Sequence, residues 1–198
     1  FSINICICNT NDVDHYIDKG INHLYNYQIK LSQNALDSAH MIDNLHPLPP
    51  FLLIVTDWLY KQTEIDYQSS YDAINQGVDK LIPKYKTFID KFPDNPEYLL
   101  YLGSTYGLKA RIALASKNWL DVLYYGYQGS KLIYKARELD SLLFDAYMPI
   151  GLFQYYSCIS SKPIQFISSL LGITPDCNEG IKNLEIAFEK SKYSWIES

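Results

Sequence analysis

Three features are missing from this sequence of 198 residues, and each absence excludes a class of protein. Lysine and arginine number 17 against 22 aspartates and glutamates, so the net charge is −5 and a basic surface for nucleic acid is lacking. No apolar run reaches the length of about 18 residues that suggests a membrane-spanning helix. No segment alternates apolar and polar residues between turns, as half-buried strands do. We therefore expect an all-α fold with no nucleic-acid partner and no transmembrane span.

Catalytic and metal-binding patterns are also lacking. There is no G-x-S-x-G nucleophile turn, and Cys158 has no histidine near it in the sequence. The four histidines are His15, His23, His40 and His46. Helical geometry would bring about two of them together, whereas a metal site needs three or four converging ligands. We expect exposed or capping histidines, and the sequence predicts no enzyme, no cofactor and no metal site.

The chain starts with FSINICIC, a short apolar run that is followed by the polar NTNDVD. This pattern resembles the end of the apolar region of a signal peptide. We interpret residues 1–11 as the remnant of such a peptide and residues 12–198 as the folded domain, the alternative being an ordinary frayed N-terminus. The remnant slightly favours an extracytoplasmic location, periplasmic or secreted, over a cytoplasmic one. The Cys6-x-Cys8 pair alone is weak support for a metal site.

Cys158 and Cys177 flank an irregular stretch near the end of the chain. An oxidising compartment could link them, but we expect buried free thiols. Between them, the segment from Ile164 to Ile173 is short, apolar and uncharged. We expect this segment to tuck over the ends of neighbouring helices as a plug. The alternative is a contact with a partner or with a membrane surface.

Local signals place several helix boundaries. Asn95 precedes Pro96 and Glu97, which predicts an N-cap, and similar signals occur at Asn118 and around Asp176. Pro83 lies within an otherwise helical stretch, where we expect it to kink or split the helix.

A repeat pattern begins at YLGSTYG, residues 101–107. Leu99, Leu102, Gly103 and Tyr106 occupy the first-helix positions of the tetratricopeptide pattern W-x2-L-G-x2-Y. The pattern returns at Tyr147, Ile150 and Gly151, and weaker matches give units of about 13–46, 47–95, 96–143 and 144–194. This resemblance implies antiparallel helix pairs in a right-handed superhelical array with lengthened helices.

The resemblance extends from LGSTYGLKARIALASKNW to GIKNLEIAFEKSKYSW. These stretches are similar to a bacterial group of uncharacterised tetratricopeptide proteins, which in turn resembles the eukaryotic tetratricopeptide repeat 39 family. Because such proteins are mostly scaffolds, the resemblance implies a bacterial protein without catalytic activity that binds a protein or peptide partner. Terminal repeats of this kind could also support homo-association.

The glycines of the repeat predict close helix packing. Glycine in a helix costs about 0.5–1 kcal/mol relative to alanine, so a packing gain must offset it. The repeat register predicts that Gly103 and Gly107 face Gly126 or Gly129 of the following helix. Phosphate binding is disfavoured at this position, because no strand precedes the glycines.

The same register assigns a concave partner-binding face to the first helix of each unit. Its predicted positions are Ile17, Leu24, Tyr25, Glu97, Leu100, Ser104, Leu108, Asp145, Met148, Leu152, Tyr155 and Tyr156. For the apolar members, burial between repeats is the alternative. This mixed set suits an extended peptide or a partner helix. The second hypothesis is an extracytoplasmic module that binds a small molecule or glycan through some of the 18 tyrosines.

Overall fold

The computed structural model describes residues 10–194, and the predicted leader at residues 1–11 lies largely outside this part of the chain. The expected all-α fold is confirmed, since the described residues contain helices and no strand. The α-helices are α1 (Thr10–Tyr25), α2 (Ile29–Ile42), α3 (Leu48–Glu64), α4 (Tyr67–Lys91), α5 (Pro96–Ala115), α6 (Trp119–Leu139), α7 (Tyr147–Ile159), α8 (Lys162–Leu170) and α9 (Cys177–Lys190). A short 3₁₀ helix, Phe144–Ala146, precedes α7. None of the described helices is long and apolar enough to cross a membrane.

The chain divides into two compact units, residues 1–74 and 75–198, with the division inside α4. In the first unit, α1 packs against α2, and both contact α3. Gly20 of α1 lies against the side chain of Leu36, and its carbonyl oxygen accepts a 2.8 Å hydrogen bond from the buried Ser32 hydroxyl. The tetratricopeptide arrangement of the four predicted repeat units stays a prediction.

The predicted helix boundaries are confirmed at the three caps. The Asn95 side chain accepts hydrogen bonds from the backbone N–H groups of the first turn of α5, and Asn118 and Asp176 do the same for α6 and α9. Helix α4, in contrast, runs without a break through Pro83. Of the expected kink or split, the split is therefore wrong, and the kink stays a prediction.

The second unit is built on two helix pairs in which glycines bring the backbones together. A Cβ atom at Gly103 of α5 would lie 2.9 Å from the carbonyl oxygen of Gly129 in α6 and 2.7 Å from the side chain of Ile133. A Cβ atom at Gly151 of α7 would lie 2.8 Å from the carbonyl oxygen of Gly180 in α9. These distances leave no room for a side chain. The two contacts, Gly103 with Gly129 and Gly151 with Gly180, are called the seams below, and both require glycine.

The expected facing of glycines is confirmed at Gly129, which the sequence had left open beside Gly126. A Cβ atom at Gly129 would lie 2.9 Å from the carbonyl oxygen of Gly103 and 3.5 Å from the backbone nitrogen of Gly107, so both glycines of α5 lie against it. Gly126 is not part of this contact, because a Cβ atom there would meet only the Leu171 side chain at 3.8 Å. A Cβ atom at Gly107 itself would have no neighbour within 4 Å, so its own Cβ position is open.

Helix α8 is an insertion between the two partners of the α7–α9 pair, and a disulfide closes it. Cys158 and Cys177 are linked, with their Cα atoms 5.4 Å apart. The expectation of free thiols is therefore wrong, because the pairing of α7 with α9 brings the two cysteines together. Just before the loop, the Ser157 hydroxyl of α7 donates a 2.9 Å hydrogen bond to the hydroxyl of the buried Ser168 in α8.

We predict opposite effects of an added methyl group at the two glycines of α5. Gly103→Ala should lower the free energy of unfolding by about 1–3 kcal/mol, because the methyl group overpacks a backbone contact. Gly107→Ala should raise it by about 0.5–1 kcal/mol, because the site is open and alanine favours the helix. Urea unfolding followed by circular dichroism measures both, and equal effects would contradict the seam.

We also predict a loss of stability when the disulfide is removed. The bond closes a loop with a sequence separation of 19 residues, and chain entropy gives about 3 kcal/mol for a loop of this size. Cys158→Ser/Cys177→Ser should lower the urea midpoint accordingly. Dithiothreitol should lower the midpoint of the wild type and leave that of the double variant unchanged, whereas an equal response of both would contradict the bond.

Candidate functional site

A partly open cavity of about 300 Å³ lies in the second unit, where the start of α5 meets the 3₁₀ helix and the end of α9. Its lining combines acidic, basic and aromatic side chains: Glu97, Tyr101, Asp140, Leu142, Leu143, Phe144, Asp145, Lys190, Lys192 and Tyr193. These side chains are positioned by the start of α5, by the 3₁₀ helix with the residues before it, and by the end of α9. Glu97 and Tyr101 are one turn apart on α5, and Asp145 belongs to the 3₁₀ helix that starts the α7–α9 pair.

Asp145 fixes one wall of the cavity. Its carboxylate accepts hydrogen bonds from three successive backbone N–H groups after α9, those of Lys192 at 3.2 Å and of Tyr193 and Ser194 at 2.8 Å each. These bonds hold the chain segment that follows α9 against the 3₁₀ helix. Asp145 therefore positions Lys192 and Tyr193, and its carboxylate serves the framework of the site.

The two lysines of the lining lie beside aromatic rings. The Lys190 Nζ is 5.6 Å from the centre of the Phe144 ring, and the Lys192 Nζ is 4.9 Å from the centre of the Tyr193 ring. Cation–π contacts of this kind stabilise the ammonium groups beside the two rings. Together with Glu97, they give the cavity charges of both signs.

Tyr101 forms the buried floor of the cavity. Burial raises the pKa of its hydroxyl well above the ordinary 10.0, and the nearby carboxylates of Asp145 and Glu97 raise that pKa further. The hydroxyl therefore stays protonated at neutral pH. Polar groups and charges of both signs thus line a volume that suits one or two side chains of a ligand.

The structure places the predicted partner-binding residues at three levels of exposure. Tyr25 and Tyr156 are exposed, and the half-buried members are Glu97, Ser104, Leu108, Asp145, Met148, Leu152 and Tyr155. Ile17, Leu24 and Leu100 are buried, with exposed fractions of 0, 4 and 3%. These three residues belong to the core, which was the alternative to partner binding, because a partner could not reach them.

The cavity brings together only Glu97 and Asp145 of the predicted set. Sequence reasoning chose Leu100 on α5, whereas its neighbour Tyr101 lines the cavity and Leu100 packs inside. The four-residue spacing from Glu97 was a usable signal for Tyr101, because residues one turn apart share a helix face. Lys190 and Lys192 carried no such signal, since their position depends on how the end of α9 packs.

Among residues 10–194, no group of three or more His, Cys, Asp or Glu side chains is arranged to hold a metal ion.

Comparison with known proteins finds no match for this chain. No protein-family model matches the chain. No curated protein matches it, and no solved structure does so either.

We predict that burial of Tyr101 makes stability sensitive to high pH. Because its pKa is raised in the folded state, the unfolded chain loses this proton first, starting near pH 10. The stabilising contribution is complete below that pH and is lost as the pH rises towards the folded pKa. Tyr85 adds a similar contribution, because burial raises its pKa as well.

Tyr101→Phe should therefore flatten the loss of urea stability between about pH 9 and pH 11. Tyr124→Phe, which changes an exposed tyrosine of α6, is the matched control and should leave the slope near that of the wild type. A Tyr101→Phe profile that overlays the wild-type profile would show that the hydroxyl is not buried.

Proposed function

We propose that this chain is a non-enzymatic helical scaffold that binds a peptide segment of a protein partner, with the cavity beside α5 as the anchor point. The observation that carries this proposal is the lining of that cavity, where Glu97, Lys190 and Lys192 surround aromatic walls. A peptide presents side chains of both charges on a short segment, so it can match such a lining. Ser104 and Leu108 continue the same face of α5, and a bound peptide would run along them.

The helix-pair seams support a binding role for this surface. Glycine contacts at Gly103 and Gly151 make each pair rigid at its centre, and a rigid framework keeps the surface side chains in place without a ligand. Tetratricopeptide arrays use helix pairs in this way, and the proposal extends the sequence resemblance to this chain. The proposed superhelical arrangement would make the α5 and α7 faces one continuous groove.

A disulfide favours an extracytoplasmic setting for this function. Structural disulfides persist mainly in oxidising compartments, and Cys158–Cys177 is of this type. The same setting suits the second hypothesis, a small molecule or glycan bound through tyrosines, because Tyr124 and Tyr127 of α6 and Tyr156 of α7 are exposed. Homo-association through the terminal repeat remains a further proposal, for which α9 offers the exposed side chains of Ile181 and Phe188.

The test uses peptides selected by display on the wild-type protein and isothermal titration of the best binder. Glu97→Gln should weaken that peptide about tenfold or more, because it removes the charge of one of the three acidic residues of the lining, the one on α5. Glu185→Gln, an exposed position of α9 outside the lining, is the matched control and should bind like the wild type. Circular dichroism checks that both variants fold.

Three results would contradict the proposal: no enriched peptide, equal affinity for all three proteins, or an equal loss in both variants. If a glycan array gives binding where the peptide selection gives none, the second hypothesis replaces the first.

A further inference from the structure

Helix α8 carries its apolar side chains on the outside. Phe166 and Leu170 are each 66% exposed, Ile164 and Ile167 are also exposed, and the small Ser168 points inward. The expected plug is therefore wrong for α8, because a plug would bury these large side chains and expose the serine. The end of the same segment does tuck in, since Ile173 is buried. An outward apolar ridge on a nine-residue helix is unusual for a surface that meets only water.

The loop that carries α8 is tied to the rest of the second unit at several points. The disulfide Cys158–Cys177 joins its two ends. The Ser157–Ser168 hydrogen bond fixes the inner face of α8, and the Ser130 hydroxyl of α6 donates a 3.2 Å hydrogen bond to the carbonyl oxygen of Leu171. The ridge is therefore held outward by its attachments.

The chain segment that contains the ridge carries almost no charge. Lys162, at the first position of α8, is the only charged residue between Tyr147 and Thr174. Of the 17 basic and 22 acidic residues in the chain, residues 75–198 hold 14 and 13, so the acidic excess lies in the first unit. Asp176 and Glu179 are the acids nearest to α8 along the chain. Asp176 is the N-cap of α9, and Glu179 lies in the first turn of that helix.

These observations favour a lipid surface over a protein. An interfacial helix combines a contiguous apolar face with a polar face that carries Lys or Arg to meet lipid headgroups. Helix α8 carries the exposed polar residues Lys162 and Ser169 seven residues apart, so they share a face, and this face borders the one with Phe166 and Leu170. Its four exposed apolar side chains offer on the order of 400 Å², about half of the roughly 800 Å² that each partner of a stable protein interface buries.

We propose that α8 is a membrane-surface contact, with Phe166, Ile167 and Leu170 seated in the interfacial region of a lipid bilayer and Lys162 at the level of its headgroups. The helix lies on the bilayer in this arrangement and does not cross it, since nine residues are too few to span. The contact is independent of the peptide site, which involves other residues.

Flotation with lipid vesicles tests this proposal. Wild-type protein should float with vesicles of phosphatidylcholine and phosphatidylglycerol, and Phe166→Ser/Leu170→Ser should reduce the bound fraction about tenfold. Leu114→Ser/Leu120→Ser is the matched control, because these side chains are 51 and 79% exposed on α5 and α6. The control should bind like the wild type. Lys162→Gln should remove any preference for anionic vesicles over vesicles of phosphatidylcholine alone.

The proposal is overturned if wild-type protein fails to float or if both double variants lose binding equally. Light scattering after size exclusion identifies the main competitor. A wild-type dimer that becomes monomeric only in Phe166→Ser/Leu170→Ser, together with no vesicle binding, would assign the ridge to a second copy of this chain instead. Circular dichroism and the urea midpoint of each variant confirm folding, since both pairs of substitutions lie on exposed surfaces.

Discussion

The contact between helix backbones at glycine is the constraint on which the second unit depends. At Gly103 and Gly151, the space that a Cβ atom would fill is taken by the carbonyl oxygen of the partner helix. Close approach lets the two helices make dispersion contacts along their whole length, which offsets the low helix propensity of glycine. The α5–α6 and α7–α9 pairs therefore form rigid frames, and the cavity and α8 are both attached to these frames.

The insertion of α8 follows from the same constraint. Because Gly151 and Gly180 fix the pairing of α7 with α9, the eighteen residues between Cys158 and Cys177 must leave the pair and return to it. The disulfide closes this excursion at its base. The resulting loop can present large apolar side chains to the outside without loosening the helix pair, since the pair keeps its own seam.

Sequence reasoning succeeded where the signal is local. N-caps at Asn95, Asn118 and Asp176 depend on a few adjacent residues, and each was correctly predicted. The pairing of Gly103 with Gly129 was accessible because the repeat pattern encodes it.

The errors concern contacts between distant segments. The repeat register placed Leu100 on the binding face although it is core, whereas the one-turn spacing from Glu97 pointed to Tyr101, which lines the cavity. Neither the disulfide nor the outward face of α8 could be read from composition, since both depend on how α7 and α9 pair.

The most direct test of this account is a nuclear Overhauser spectrum of the folded protein. The seams predict cross-peaks between the α-protons of Gly103 and Gly129 and between those of Gly151 and Gly180. Gly126, whose Cβ position would meet only the Leu171 side chain at 3.8 Å, serves as the internal comparison for a glycine outside the contact. Cross-peaks at both pairs would confirm that backbone contact organises the second unit. Their absence in a well-resolved spectrum would contradict it, because the helices would then be separated by side chains.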